Sequence, residues 1–264
     1  MIHIHSLFIY PVKSLSGIAV ESLAIDHMGP VSDRRWMIVD DKGQFVTQRT
    51  RPELAMVATA LNGRGEVSVS IPDCGSFALK PGNSIRAVTV WRDTVQAVPA
   101  ESGPSEALSD FLGQPVSLVC HGPDTVRYCD QQWALENRPV AFADGFPFLV
   151  VNHASLDELN TRLEKAVDVR RFRPNVVISG AEPWAEDDWT ALTVGNLRLD
   201  LVKPCSRCIL TTVDPDSGKK DPGQQPLRTL GGYRRQLDGV IFGKNATHQG
   251  EGPLQLGQTV HTIE

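Results

Sequence analysis

The segment Lys203-Pro204-Cys205-Ser206-Arg207-Cys208-Ile209-Leu210-Thr211-Thr212-Val213-Asp214-Pro215-Asp216-Ser217-Gly218 holds the residues best suited to chemistry, two thiols with an arginine between them. A C-x-x-C spacing can supply half of a zinc site. Tetrahedral zinc takes about four ligands, however, and neither a second such pair nor a His pair at ligand spacing accompanies it. The spacing can also mark a dithiol redox motif, but that motif sits at a helix N-terminus, which lowers the thiol pKa. The residues at 208–213 predict a strand instead. Side chains alternate along an extended segment, so positions 205 and 208 are expected to point to opposite faces and not to share a metal. One thiolate acting alone is a poor zinc site, yet it is a good soft ligand for a transition metal that arrives already chelated. The structural alternative is that both cysteines are buried as small hydrophobes, which is common for free Cys.

Other reactive residue types are less informative. The seven histidines show no metal spacing, although His3 and His5 share a face of the first strand. Glu186, Asp187 and Asp188 read as a solvated acidic loop, with attraction of a basic electron-transfer partner as the functional alternative. Trp133, Trp184 and Trp189 read as packing residues. Lys219 and Lys220 lie in the loop after Gly218, where they could gate entry.

The elements that must position these groups are mostly strands. Runs rich in β-branched residues at 36–39, 66–71, 87–91 and 116–119, and again at 148–151, 175–179 and 197–202, predict strands between turn signals. The clearest helix is 156–167, where Leu156, Leu159, Leu163 and Val167 fall at helical spacing and Ser155 with Glu158 forms a capping box. Shorter helices are predicted at 105–112 and 229–237, and the Asp, Pro and Gly content of 214–223 predicts an exposed, mobile loop. Gly122-Pro123-Asp124 marks a break, giving units 1–122 and 123–264, the second β-barrel-like. The fold class expected is mainly β with α insertions (α+β), not a doubly wound sheet, and no G-x-G-x-x-G fingerprint is present.

Composition narrows the function. With 264 residues, 41% of them hydrophobic and 22% charged, the chain can bury a sizeable core. A net charge of −5 argues against a nucleic-acid surface, so any anionic ligand needs a local basic pocket. No apolar run approaches the ~20 residues of a membrane span, and 1–10 reads as a strand, not a signal peptide. A cytoplasmic protein with no membrane partner is expected. The five cysteines, at 74, 120, 129, 205 and 208, are an odd number and are expected to be reduced.

The cysteine segment, together with Arg171-Phe172-Arg173-Pro174-Asn175-Val176-Val177-Ile178, Tyr10-Pro11-Val12-Lys13-Ser14 and Asp33-Arg34-Arg35-Trp36, closely resembles the MOSC proteins related to the mitochondrial amidoxime-reducing component. The likeness runs nearly end to end. It implies a MOSC N-terminal β-barrel-like domain at 1–122, a MOSC domain at 123–264, and a pyranopterin molybdenum cofactor (Mo-molybdopterin) in the cleft between them. The resemblance implies that Cys208 is the catalytic cysteine and the molybdenum ligand, with Cys205 as the fallback. It carries cofactor contacts to Lys13, Ser14, Arg34 and Arg173, and further to Gly145, Phe146, Asn175, Ser206, Arg207 and Asn245. The cations among these suit the cofactor's phosphate, with arginine offering a bidentate fork.

The activity implied is reduction of small N-hydroxylated compounds (amidoximes, hydroxylamines and N-hydroxylated bases), with Asp144 or Arg207 as candidate proton donors. The chain lacks the cysteine cluster of the iron–sulfur domain found in larger bacterial relatives, so electrons are expected from a separate iron–sulfur, flavin or cytochrome-type protein. Pyridoxal phosphate binding stays open. The alternative function is a sulfur carrier, or a carrier of the molybdenum cofactor, working through a cysteine persulfide.

Overall fold

The computed structural model describes residues 1–134 and 137–264. Val, Ile and Leu runs form strands because branched side chains pack well on a pleated surface. The predicted strands are present as Trp36–Asp40, Val67–Ile71, Arg86–Val90, Val116–Cys120, Phe148–Asn152, Val176–Ser179 and Leu197–Arg207. Three α-helices occur among the described residues, and none is long and apolar enough to cross a membrane. The fold is mainly β with α insertions.

The largest sheet has neighbours in the order Ile18–Val20, His3–Ile9, Val176–Ser179, Phe148–Asn152, Gly239–Gln249, Leu197–Arg207, Ala191–Val194 and His261–Ile263, with Arg235–Gln236 paired beside Gly239–Gln249. Its one parallel pair among these, Phe148–Asn152 with Val176–Ser179, is joined through the helix His153–Thr161, as a parallel crossover requires. A four-stranded sheet runs Arg86–Val90, Asp93–Pro99, Val116–Cys120, Trp36–Asp40, and Ala58–Leu61, Val67–Ile71 and Gly75–Ala78 form a third. Trp36–Asp40 is buried on both faces: Trp36 and Ile38 pack into one hydrophobic cluster, Met37 and Val39 into another.

The first strand belongs to the large sheet, whose other long strands all follow residue 147. The chain therefore leaves that sheet at Ile9 and crosses at once to the four-stranded sheet. Tyr10 O accepts from Arg34 N (2.7 Å), Pro11 O from Trp36 N (3.1 Å), and Trp36 O from Lys13 N (2.8 Å). Two of the sequence motifs, Tyr10 to Ser14 and Asp33 to Trp36, are thus laced together where the sheets meet.

Several expectations are corrected. The segment 208–213 is not a strand: the ladder ends at Arg207, and Ile209–Thr212 is a 3-10 turn. Thr211 Oγ1 bonds back to Cys208 O (3.0 Å) and Thr212 Oγ1 to Ile209 O (2.7 Å), so the hydroxyls hold the backbone in a turn that competes with sheet pairing. The helix expected at 156–167 is His153–Thr161, capped by Asn152, whose side chain accepts from Ala154 N (3.2 Å). The Ser155–Glu158 capping box does not form, because Ser155 is inside the helix and buried. Leu163 and Val167 lie past its end, where Asn160 bonds Val167 N (2.8 Å) and folds the chain back.

The last helix is Leu227–Tyr233, and Leu237 lies fully exposed in the hairpin beyond it. Glu186 is not solvated: it is 1% exposed and accepts from Asn152 (3.1 Å) and Ser155 (2.8 Å), while Asp187 pairs with Arg234 (2.7 Å). The 214–223 loop is fastened: Arg171 binds Asp214 and Arg170 binds Asp216, and the buried Gly218 packs on the backbone at Pro52 and Glu53. The tryptophans do pack. Trp189 is in the core of the large sheet, Trp184 lies against Phe242 and Tyr233, and Trp133 sits under Lys203.

Candidate functional site

The strand Leu197–Arg207 pairs with Gly239–Gln249 through two register shifts, the second between Pro204 and Ser206. Pro204 has no N–H to give the ladder, and a bulge there re-aims the residues that follow. The expected alternation therefore fails at Cys205, and Cys205 and Cys208 both line one cavity. They differ in setting. Cys208 is exposed at the end of the strand, whereas Cys205 is half-buried and burial pushes its thiol pKa up.

The cavity measures about 1310 Å³ and lies where the sheets meet. That exceeds the usual range of roughly 300–1,000 Å³ for small-molecule sites, leaving room for a large ligand and a second small one. Nine Lys and Arg side chains line it against three Asp, in a chain whose net charge is −5. The basic pocket that the composition required is this one. It gathers Lys13, Ser14, Arg34, Gly145, Phe146, Arg173, Asn175, Cys205, Ser206, Arg207, Cys208 and Asn245, which come from six separate stretches of chain.

Ser14, Arg34 and Arg173 all adopt left-handed backbone, at φ 70°, 47° and 56°. A non-glycine residue pays for that conformation, and such outliers persist where the surroundings over-determine them, often at functional sites. The determinants are visible. Arg34 donates to Asp33, to Asn175 Oδ1 (3.0 Å) and to Arg173 O (3.0 Å), and its guanidinium stacks 4.4 Å from the centre of the buried Tyr10 ring. Arg173 stacks on the same ring at 4.2 Å and donates to Leu15 O (2.6 Å). Burial lowers its pKa to about 10. Its Nη2 is buried without a partner, as is Nη2 of Arg207, whose Nε donates to Phe242 O (3.0 Å). Asn175 is committed already, accepting from Leu149 N (3.2 Å) and Arg34 and donating to Phe8 O (3.3 Å).

Lys13 is buried and donates to Phe142 O (2.8 Å) and to Asp144. Burial lowers its pKa to about 8 even though Asp144 opposes the shift. Asp144 is sunk in the cleft yet open to it, with 61% of its side chain exposed. Burial acts to raise its pKa, but Lys13 and Arg49 outweigh that and hold the carboxyl well below the ordinary carboxylate range. Asp144 is thus an acceptor near neutrality, which corrects its candidacy as a proton donor.

Arg49 also lines the cavity, although no motif pointed to it. Its Nε donates to Cys208 Sγ (3.3 Å), its Nη2 to Asp144 Oδ2 (3.1 Å), and its guanidinium lies 4.5 Å from the centre of the Trp91 ring. Lys220 holds the Arg49 carbonyl from the far side (2.7 Å). Arg127, also unforeseen, is buried and fixes the wall by donating to Ala141 O (2.9 Å), Ala143 O and Asp144 O (2.8 Å). Both lie in segments whose residues form no motif, so spacing could not reveal them. Among the described residues no three His, Cys, Asp or Glu side chains converge to hold a bare metal ion.

Residues 1–115 match the MOSC N-terminal beta barrel domain, and residues 137–261 match the MOSC domain. Human mitochondrial amidoxime-reducing component 1 is 34% identical over 97% of this chain and 82% of its own length. The chain belongs to the MOSC family of amidoxime-reducing components. Within that family, rat mitochondrial amidoxime reducing component 2 is 31% identical over 98% of this chain and 83% of its own length. The likeness extends to a molybdenum cofactor sulfurase of rice, 29% identical over 98% of this chain but only 35% of the sulfurase.

Proposed function

We propose that the chain reduces small N-hydroxylated compounds, with a molybdenum cofactor seated in the cavity and bound through Cys208. One observation carries this reading: an exposed thiol at Cys208 shares the cavity with guanidinium groups of Arg173 and Arg207 that each keep a buried nitrogen without a partner. These groups fit the cofactor, because a thiolate suits a soft metal centre and the free guanidinium donors suit a phosphate. When bound, the cofactor supplies a two-electron centre able to take oxygen from a nitrogen–oxygen bond.

Lys13, Arg173 and Arg207 would hold the anionic end of the cofactor, with Ser14, Ser206 and Asn245 adding neutral hydrogen bonds. Arg34 and Asn175 are largely spent on each other and on backbone groups, so their part is to fix the left-handed turn that carries Arg173. Gly145 and Phe146 shape the wall. Cys208 is the better ligand than Cys205, since burial pushes the Cys205 thiol up and so disfavours its thiolate. Arg49 orients the Cys208 sulfur and, with Lys13, keeps Asp144 ionised as an acceptor. Electrons come from a separate donor protein of iron–sulfur, flavin or cytochrome type. The reaction is assigned to the cytoplasm, whose reducing conditions suit five unpaired cysteines.

The test is benzamidoxime reduction by chemically reduced viologen, using protein expressed with ample molybdate. Cys208→Ser is expected to abolish turnover and Cys205→Ser to keep most of it; the reverse pattern would exchange the two roles. A second reading, transfer of sulfur or of the cofactor through a Cys208 persulfide, draws on the likeness to the rice sulfurase and on the exposure of Cys208. It predicts persulfide on Cys208 by intact mass and no turnover.

A further inference from the structure

A second cavity, of about 40 Å³, shares Arg171, Arg173 and Leu210 with the large one but is lined by neither Cys208 nor Asp144. One water needs roughly 10–15 Å³, so the space takes about three waters and is far too small for a cofactor or an organic substrate. Among the described residues, three arginines line it and no carboxylate does.

Two polar groups meet there with nothing to bind. Tyr10 is 1% exposed, and its phenol oxygen is buried without a hydrogen-bond partner. The phenol end of the ring reaches the cavity wall at Gly17, where a Cβ would lie 3.0 Å from Tyr10 Cζ. Arg173 arrives at the same wall, its Nη1 donating to Leu15 O (2.6 Å) and its Nη2 buried without a partner. The guanidinium lies 4.2 Å from the centre of the Tyr10 ring, so the free nitrogen and the phenol oxygen are neighbours. The other arginines of the cavity are matched, Arg170 with Asp168 (3.0 Å) and Asp216 (2.8 Å), and Arg171 with Asp214 (3.0 Å). Asp33 acts on Arg173 from a distance but is bound to Arg34 and to Tyr10 N (2.8 Å).

Burial pushes the Tyr10 phenol up to about 12, so it stays protonated and donates. A guanidinium has donors only. What fits between two donors is an acceptor, and a buried guanidinium without a direct counter-charge is costly. A water supplies the acceptor but not the charge. We propose that this cavity binds one monatomic anion of chloride size, held by the Tyr10 hydroxyl and Arg173 Nη2. Ala55, Leu210 and Val213 complete the wall without adding side-chain donors, which suits a single ion better than an oxyanion whose several oxygens each need a partner. The site does not depend on what the large cavity holds. Nη2 carries two N–H bonds, so one remains for the large cavity, whose positive charge the ion reduces.

The experiment follows thermal denaturation of the full chain as purified, while chloride or bromide replaces gluconate at constant ionic strength. A ligand that binds only the folded chain raises Tm by mass action. A saturable rise is expected with both halides, and gluconate, too large to enter, sets the baseline. Tyr10→Phe keeps the ring and removes the donor, so the halide concentration needed for the same rise should increase roughly tenfold or more. Ala55→Val takes up space in the cavity and should abolish the rise; it decides the matter if Tyr10→Phe fails to fold. Crystals grown in bromide locate the ion, and an anomalous peak between Tyr10 Oη and Arg173 Nη2 supports the site. A wild-type Tm indifferent to halide, a response that both variants keep in full, or a water at that place with no anomalous signal overturns it.

Discussion

Arg49 joins the thiol of Cys208 to the carboxylate of Asp144, a geometry that a charge-neutral side chain cannot reproduce. Hydrogen bonds to charged groups contribute about 1.5–3 kcal/mol, so Arg49→Gln is expected to lower kcat/KM for benzamidoxime about tenfold to a hundredfold, as read by steady-state kinetics. Arg49→Lys keeps the charge but not the fork and should fall between the two. Lys13 shows the opposite balance. Its pKa is lowered from 10.5 to about 8 by burial, so folding favours the neutral amine over the charged one. The cost is present in full below pH 8 and is relieved as pH rises from 8 toward 10.5, where the unfolded chain still binds the proton. Lys13→Met is therefore expected to raise the Tm of the cofactor-free protein at pH 7, by up to about 3 kcal/mol in stability, and to lower molybdenum retention. A lower Tm with full retention would contradict this account. The residue that lowers stability when the cofactor is absent is one that would bind it.

At the scale of elements, what the sequence revealed and what it hid have physical causes. Strands at 36–39, 116–119 and 148–151 were legible because Val, Ile and Leu fill them and turn residues end them. The turn after Cys208 was not, because Thr211 and Thr212 are strand formers by type and only their hydroxyl bonds to Cys208 O and Ile209 O show otherwise. The capping box misled because Ser155 turns inward to Glu186, on a segment thirty-one residues away. Burial raises the Glu186 pKa, so the folded state favours its protonated form and stability falls as pH climbs above the ordinary carboxyl range. Glu186→Gln imitates that form. It is expected to add about 1 kcal/mol at pH 7, or roughly 2 °C in Tm, measured by thermal denaturation. Gly243 has the reverse sensitivity: at φ +74°, a Cβ would sit 2.6 Å from Val150 O across the sheet. Gly243→Ala should destabilise by about 2–4 kcal/mol, seen as a fall in the denaturant midpoint.

For the whole molecule, the site exists because the chain crosses between sheets at Tyr10 to Ser14 and returns through Arg34, bringing cations from distant stretches to one cavity. The motifs were readable one by one, but their convergence was reachable only through resemblance, since Lys13 and Cys208 belong to opposite ends of the sequence. Arg49, Trp91 and Arg127 meet the site only in three dimensions. A ligand that binds the folded chain alone stabilises it by mass action, so cofactor-loaded protein should melt several degrees above cofactor-free protein, and Cys208→Ser should narrow that gap.

The most direct test of the central claim is molybdenum content by elemental mass spectrometry on wild type and Cys208→Ser, both expressed with ample molybdate in a host shown to make the cofactor. Near-stoichiometric molybdenum in the wild type, with a marked loss in the variant, is the result predicted. Metal-free wild-type protein from that host would contradict the claim and favour the persulfide reading.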